Sequence, residues 1–350
     1  MKKNVSLLII CSLYCIGNAY GQDSLNVPAP WITGYGSIYY KYNFNKNATD
    51  NKTSFTNSQN SFELDMLSVK LQHAIGKVSF TGEIGVGKRA EEFSYNDKGI
   101  SSAIQQLFIS YTPIKWLTLT AGSFATYIGY ESEETNLNRN FSMSYLFTYG
   151  PFFHTGVKAQ ATAGSSTFMI GIFNPSDFKY APLNSKKYIG AQWGFTPKES
   201  PFTSYLNYLG GVDTEGVRDD QVDLVLTYQF SKHFNIAYDG SFCHYSGNAP
   251  GTSWWGSALY LNTDISSAFG LTLRTEYFND PDNLKVFTDK EQFPEGGSIW
   301  SFTLSGNYKI KALTIIPEVR LDHAMEPLFT KNENNVRNSP NVLVAVVYSF

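Results

Sequence analysis

The last ten residues, NVLVAVVYSF from Asn341 to Phe350, constrain the fold more than any other stretch. Counted back from the end, Phe350, Tyr348, Val346, Val344 and Val342 place a large apolar side chain at every second position. In an extended strand residues two apart share a face, so this segment offers one continuous apolar surface capped by two aromatic rings. A soluble β-sandwich or jelly roll ends in such a strand when it faces a core. A sheet closed into a barrel within a lipid bilayer does so because its outer face must be apolar throughout.

Composition favours the barrel. Charged residues make up 16% of the chain, against roughly 25% in soluble domains, and aromatics another 16%, with 23 Tyr and 26 Phe. After Gly21 there is no run of 18 apolar residues, so any crossing of a membrane must be made by strands. The amino terminus carries Lys2 and Lys3, an apolar run from Val5 to Ile16, and small residues at Ala19 and Gly21. These are the parts of a secretory signal peptide cut after Gly21, and the run is too short for a membrane anchor. Neither Cys11 nor Cys15 follows the small residue that lipidation requires. The expected organisation is therefore a signal peptide over 1–21 and one barrel domain over 22–350. Export leaves only Cys243, so no internal disulfide forms, and losing two lysines takes the formal charge from -3 to -5, too mild for a nucleic-acid partner.

Strands are predicted at 31–44, 62–73, 77–87, 104–111, 117–123, 152–162, 167–173, 188–195, 202–209, 222–230, 234–242, 254–261, 271–278, 300–310, 313–321 and 341–350. That is about sixteen, within a range of 14 to 18, joined by connections that alternate long and short. Such alternation belongs to an all-β transmembrane antiparallel barrel with long extracellular loops and short periplasmic turns. A sandwich has no reason to alternate its loop lengths. In 222–230, Val222, Leu224, Leu226, Tyr228 and Phe230 are expected to face lipid, and Gln221, Asp223, Thr227 and Gln229 the lumen. Trp300, Phe302, Leu304, Tyr308 and Ile310 repeat the pattern. A charge on the lipid face near midplane costs about 2–4 kcal/mol, so charged strand residues should point inward. Trp31, Trp116, Trp254, Trp255 and Trp300 lie near strand ends, where aromatic girdles form.

The inward candidates on the walls are Glu83, His154, Lys158, Asp223, Asp239, Arg274, Glu276, Lys309, Glu318 and Arg320. The longest loop, 125–151, carries Glu131, Glu133, Glu134 and Arg139, and is long enough to fold into the mouth. Carboxylates there opposite a basic wall would set a transverse field and a size limit, or the loop would simply be a solvated surface. Both signs are present, so strong anion or cation selectivity is not expected. The five histidines show no metal-ligand spacing, and neither a metal nor a cofactor is expected. Ser142, Ser144 and His154 lie in one region, as a hydrolase at the outer rim would need, but no nucleophile elbow surrounds them.

The closing strand, ending on Tyr348 and Phe350, resembles the segment by which the assembly machinery recognises bacterial outer-membrane barrels. From Gly122 to Ala159 the chain reads GSFATYIGYESEETNLNRNFSMSYLFTYGPFFHTGVKA, followed by GIFNPSD at Gly171 to Asp177. These stretches resemble the OmpL-like β-barrel porin family common in Bacteroidota, most strongly over this third of the chain. The resemblance implies a non-enzymatic outer-membrane channel for small hydrophilic solutes in a Gram-negative bacterium. Its implied partners are outer-membrane lipids, the barrel-assembly machinery that receives it from the periplasm and, at this barrel size, further copies in a homotrimer. A non-conducting barrel with an adhesive or structural role is the alternative, and a rim hydrolase the third reading.

Overall fold

The computed structural model describes residues 28–213, 215–248 and 251–350; the signal peptide expected over 1–21 lies outside them. The strands are β1 (Trp31–Asn43), β2 (Ser61–Ile75), β3 (Val78–Val86), β4 (Ile104–Ile114), β5 (Leu117–Ala125), β6 (Phe153–Ala163), β7 (Ser166–Phe173), β8 (Tyr188–Phe195) and β9 (Phe202–Val212). They continue with β10 (Val217–Ser231), β11 (Phe234–Gly247), β12 (Thr252–Asp264), β13 (Phe269–Asp280), β14 (Gly297–Ile310), β15 (Leu313–Ala324), β16 (Phe329–Lys331), β17 (Asn334–Val336) and β18 (Asn338–Ser349). All but the small hairpin β16–β17 pair with their neighbours into a closed sixteen-stranded antiparallel barrel. Two short helices, α1 (Lys88–Phe93) and α2 (Tyr145–Tyr149), lie in loops.

Closure happens where the apolar terminal strand meets the first. β18 runs beside β1 from Tyr35 opposite Ser349 to Asn43 opposite Asn341. Beyond that ladder Gly34 donates to the Phe350 carbonyl at 3.0 Å and accepts from the Phe350 N–H at 2.9 Å. With the ladder closed on itself, the barrel presents no open strand edge to lipid. Only glycine fits at 34, because a Cβ there would lie 2.3 Å from the Ser68 carbonyl oxygen and 2.6 Å from the Phe350 ring.

The pleat sorts side chains as expected. Val222, Tyr228, Phe230, Trp300, Phe302, Leu304, Tyr308 and Ile310 are exposed on the outer face, while Asp223, Ser301, Thr303 and Ser305 are buried inside. One girdle residue does not belong there: Trp254 is buried in the lumen, stacked on Phe278 at 5.4 Å, while its neighbour Trp255 is exposed. Adjacent strand residues point to opposite faces, so the Trp254–Trp255 pair could not both meet lipid.

The loop lengths also depart from strict alternation. The outer connections at 213–216 and 248–251 are as short as the inner turns, because β10 and β11 begin and end farther out than a bilayer requires. Arg218, Asp219 and Asp220 are in the ladder with Val212, Gly211 and Gly210. A polar stretch reads as loop when strand length is judged by membrane thickness, yet backbone pairing continues in water.

Candidate functional site

The segment 126–152, between β5 and β6, leaves the wall and folds across the lumen, where wall carboxylates bind its backbone. Asp223 on β10 accepts the Gly129 N–H at 3.0 Å, and Asp239 on β11 accepts that of Tyr130 at 3.1 Å. Glu318 on β15 accepts from Phe141 at 2.9 Å and Ser142 at 3.2 Å. Glu276 on β13 accepts from Tyr145 and Leu146, both at 2.9 Å, at the start of α2. Within the loop, Glu131 accepts from Ser144 at 2.8 Å. Irregular backbone is tolerated at membrane depth only when its polar groups are satisfied by protein or water, and these charge-assisted bonds do that.

Cations bind the carbonyl side of the same segment. Arg274 reaches Glu131 and donates to the Ser142 carbonyl at 2.7 Å, while Arg320 donates to that of Met143 at 2.8 Å and pairs with Asp322 at 2.9 Å. Thr303 stands opposite both arginines in the ladder, so they flank it on one inward face. Arg139 bonds Thr272 at 2.9 Å and Asp264 at 2.8 Å. On the β2–β3 side Lys70 on β2 bridges Glu83 on β3, at 3.2 Å, to Glu134 of the loop, and Arg89 of α1 pairs with Asp65 at 2.8 Å.

Glu83, Glu131, Glu133, Glu134, Arg139, Asp223, Asp239, Arg274, Glu276, Glu318 and Arg320 thus come together, as contacts between loop and wall. Most of them are buried, none of Glu276, Arg274 and Arg320 exceeding 2% exposure, so they are not free charges on an open surface. His154 is apart from them, its ring 4.8 Å from that of Tyr127 and 5.1 Å from that of Phe173, with Thr126 Oγ1 at 3.1 Å from Nε2. Lys158 places its ammonium 4.0 Å from the Phe124 ring, and Lys309 is exposed at the inner end of β14. The serines and histidine of the hydrolase reading do not meet: Ser144 Oγ caps α2 by accepting from Phe147, and Ser142 Oγ lies 3.5 Å from the Arg274 and Arg320 guanidinium groups.

Asp65, Lys70, Arg89 and Asp322 belong to the site and were not among the sequence candidates. Lys70 had a signal, inward parity between Val69 and Leu71, whereas Asp322 fell in the loop predicted after 321. Asp65 had none, because it sits at a β-bulge between the pairs Ser37–Met66 and Ile38–Leu64, and a bulge re-aims a side chain against the strand period.

The loop separates two sets of cavities. Outside it is a vestibule of about 500 Å³, whose lining includes Tyr149, Phe152, Asp177, Asp219, Tyr245 and Lys285. On the other side are pockets of about 210 and 150 Å³, both lined by Leu137, Asn138 and Arg139.

The sequence profile of the family described as "Putative beta-barrel porin-2, OmpL-like" matches residues 31–350. Among curated proteins none matches the sequence significantly. Among solved structures, OmpT of Vibrio cholerae superposes with a TM-score of 0.61 at 13% identity, over 92% of this chain and 97% of that one. An anion-selective porin from Comamonas acidovorans gives 0.61 at 10% identity over 92% and 99%, and the outer-membrane channel DcaP of Acinetobacter baumannii 0.61 at 10% over 94% and 99%. At such identities these neighbours speak for the fold.

Proposed function

Since the chain belongs to the OmpL-like beta-barrel porin-2 family and is an outer-membrane porin-type barrel, we propose that it conducts small hydrophilic solutes by passive diffusion through a lumen narrowed by segment 126–152. The observation that carries this reading is the position of that segment. It lies inside the barrel, between an outer vestibule and inner pockets, fastened to strands on several sides. Sixteen strands enclose more space than their own side chains fill, so a loop is what sets the width.

The site residues then act as constriction supports: Asp223, Asp239, Glu276 and Glu318 hold loop N–H groups, while Arg274, Arg320 and Lys70 hold its carbonyls and carboxylates. No catalytic step is assigned to any of them. The route is export through the periplasm by the segment at 1–21, insertion by the barrel-assembly machinery reading Tyr348 and Phe350, and residence among outer-membrane lipids as a trimer. One structural neighbour, OmpT of Vibrio cholerae, has a trimer form.

Planar-bilayer recording tests the channel. The wild-type protein is expected to give small, stable conductance steps, and a variant with residues 131–149 replaced by a short Gly-Ser linker steps several times larger. Silence from both would remove the channel reading. The dense bonding of the loop to the wall favours a second one, a closed barrel with an adhesive or structural role, which predicts a silent wild type and conduction only by the shortened variant.

A further inference from the structure

On the β2–β3 side, Glu83 from the wall and Glu133 and Glu134 from the loop each offer a carboxylate oxygen, and these three oxygens lie within 4.8 Å of one another. Glu83 and Glu133 are each 1% exposed. Facing them is one ammonium, that of Lys70, while Arg89 is occupied by Asp65 and gives Glu133 only a 3.4 Å contact to its backbone oxygen. With all three carboxylates ionised, one lysine leaves two negative charges in excess. Buried charge persists only when paired or coordinated.

Independently of the clustering, Glu133 Oε1 has no hydrogen-bond partner, although its side chain is buried. The other carboxylates are supplied: Glu83 accepts from Ser68 at 2.6 Å and Gln106 at 2.7 Å, and Glu134 is held by Lys70. An acceptor left without a donor in a buried acidic group lacks a cation or a proton.

The geometry points to a binding site for one hard divalent cation, of which Ca²⁺ is the probe, shared by Glu83, Glu133 and Glu134 and tying the loop to the wall. The ligands are all oxygen, as hard divalent ions require, and the three oxygens lie within 4.8 Å of one another, close enough to share one ion. Its two charges cancel the excess, and Lys70, whose side chain is 15% exposed, swings toward lumen water as the ion enters. Because the wall supplies one carboxylate and the loop two, occupancy fastens the loop.

The test is calorimetric titration of the folded, detergent-solubilised protein with CaCl₂ after chelator treatment, with heat-modifiable gel migration confirming that each barrel is folded. Wild type is expected to bind one Ca²⁺, Glu133→Gln and Glu134→Gln to bind at least tenfold more weakly, and Lys70→Met, which removes the competing ammonium, several-fold more tightly. No uptake by wild type at millimolar Ca²⁺, binding unchanged in Glu133→Gln, or binding weakened in Lys70→Met would overturn the site. The measurement needs no conductance, so it stands whether or not the barrel proves to be an open channel.

Discussion

Glu318 and Glu276 each take two consecutive backbone N–H groups of segment 126–152 on one carboxylate. An N–H left buried without an acceptor costs about 1–3 kcal/mol, so Glu318→Ala removes several kcal/mol from loop docking and nothing from the barrel ladder. The expected result is a folded barrel with larger and noisier conductance steps than wild type, read in planar bilayers; steps of unchanged size would mean that this carboxylate does not hold the constriction. At the closing seam, Gly34→Val is expected to reduce the yield of heat-modifiable, folded barrel severalfold, since its side chain meets the Ser68 carbonyl and the Phe350 ring; normal yield would show that the seam tolerates spreading. The inward direction of Glu276, Glu318, Arg274 and Arg320 was legible, because a charge belongs off the lipid face and Leu273, Tyr277, Val319 and Leu321 take the alternate positions. Their partners were not, since a loop backbone N–H has no sequence signature. Gln105, like Asp65, is buried at a bulge, between the pairs Glu83–Gln106 and Ile84–Ile104, and a strict period of two misplaces such residues.

At the level of elements, all sixteen barrel strands could be read from alternation and turn residues. Inner turns such as 76–77 and 164–165 are marked by Gly76 and Gly164, which adopt φ of +59° and +61° as tight hairpins demand. Missed were α1, α2 and the β16–β17 hairpin, each too short to show a period; α1 packs on β2 and β3, and α2 on β11, β12 and β13. The loop that matters most was legible by its length and charges, and its docking only in three dimensions. Its acidic arm carries a pH dependence. Burial first, and then the carboxylates of Glu134 and Glu83, push Glu133 up to about 8 from its ordinary 4.5. Burial and Glu83 also raise Glu134, and Lys70 and the Arg89–Asp65 pair stand on the same side. The docked loop therefore holds a proton that the released loop gives up: docking is strongest below about pH 4.5 and weakens as pH rises through about 8. In chelator, amide exchange over 126–152, corrected for intrinsic rates, is expected to be more protected at pH 6 than at pH 9, and Glu133→Gln to flatten the difference. Equal protection at both pH values would show that the Glu133 proton has no part in docking.

Across the whole molecule the wall is not of even height. β5 has 9 residues and β7 and β8 have 8 each, against 15 in β10 and 14 in β11 and β14. A short apolar wall facing lipid obliges the bilayer to thin beside it, at a cost of a fraction of a kcal/mol per ångström of mismatch. On its outer face β4–β7 form an apolar hollow of about 670 Å³, where Ala121 and Ala159 lie among Leu119, Val157, Ile170 and Ile172. Small side chains allow close approach between proteins in a membrane, where packing rather than water exclusion drives association. A second copy of the chain against this wall would relieve the mismatch and fill the hollow, which locates the contact of the proposed trimer. Strand count was readable along the chain, but this was not, because it depends on which short strands stand side by side. Ala121→Trp with Ala159→Trp fills the hollow from within while leaving the lipid face apolar. The wild type is expected to run as a trimer in detergent by light scattering and the double variant as a folded monomer; a trimer that survives the two tryptophans would place its interface on another wall.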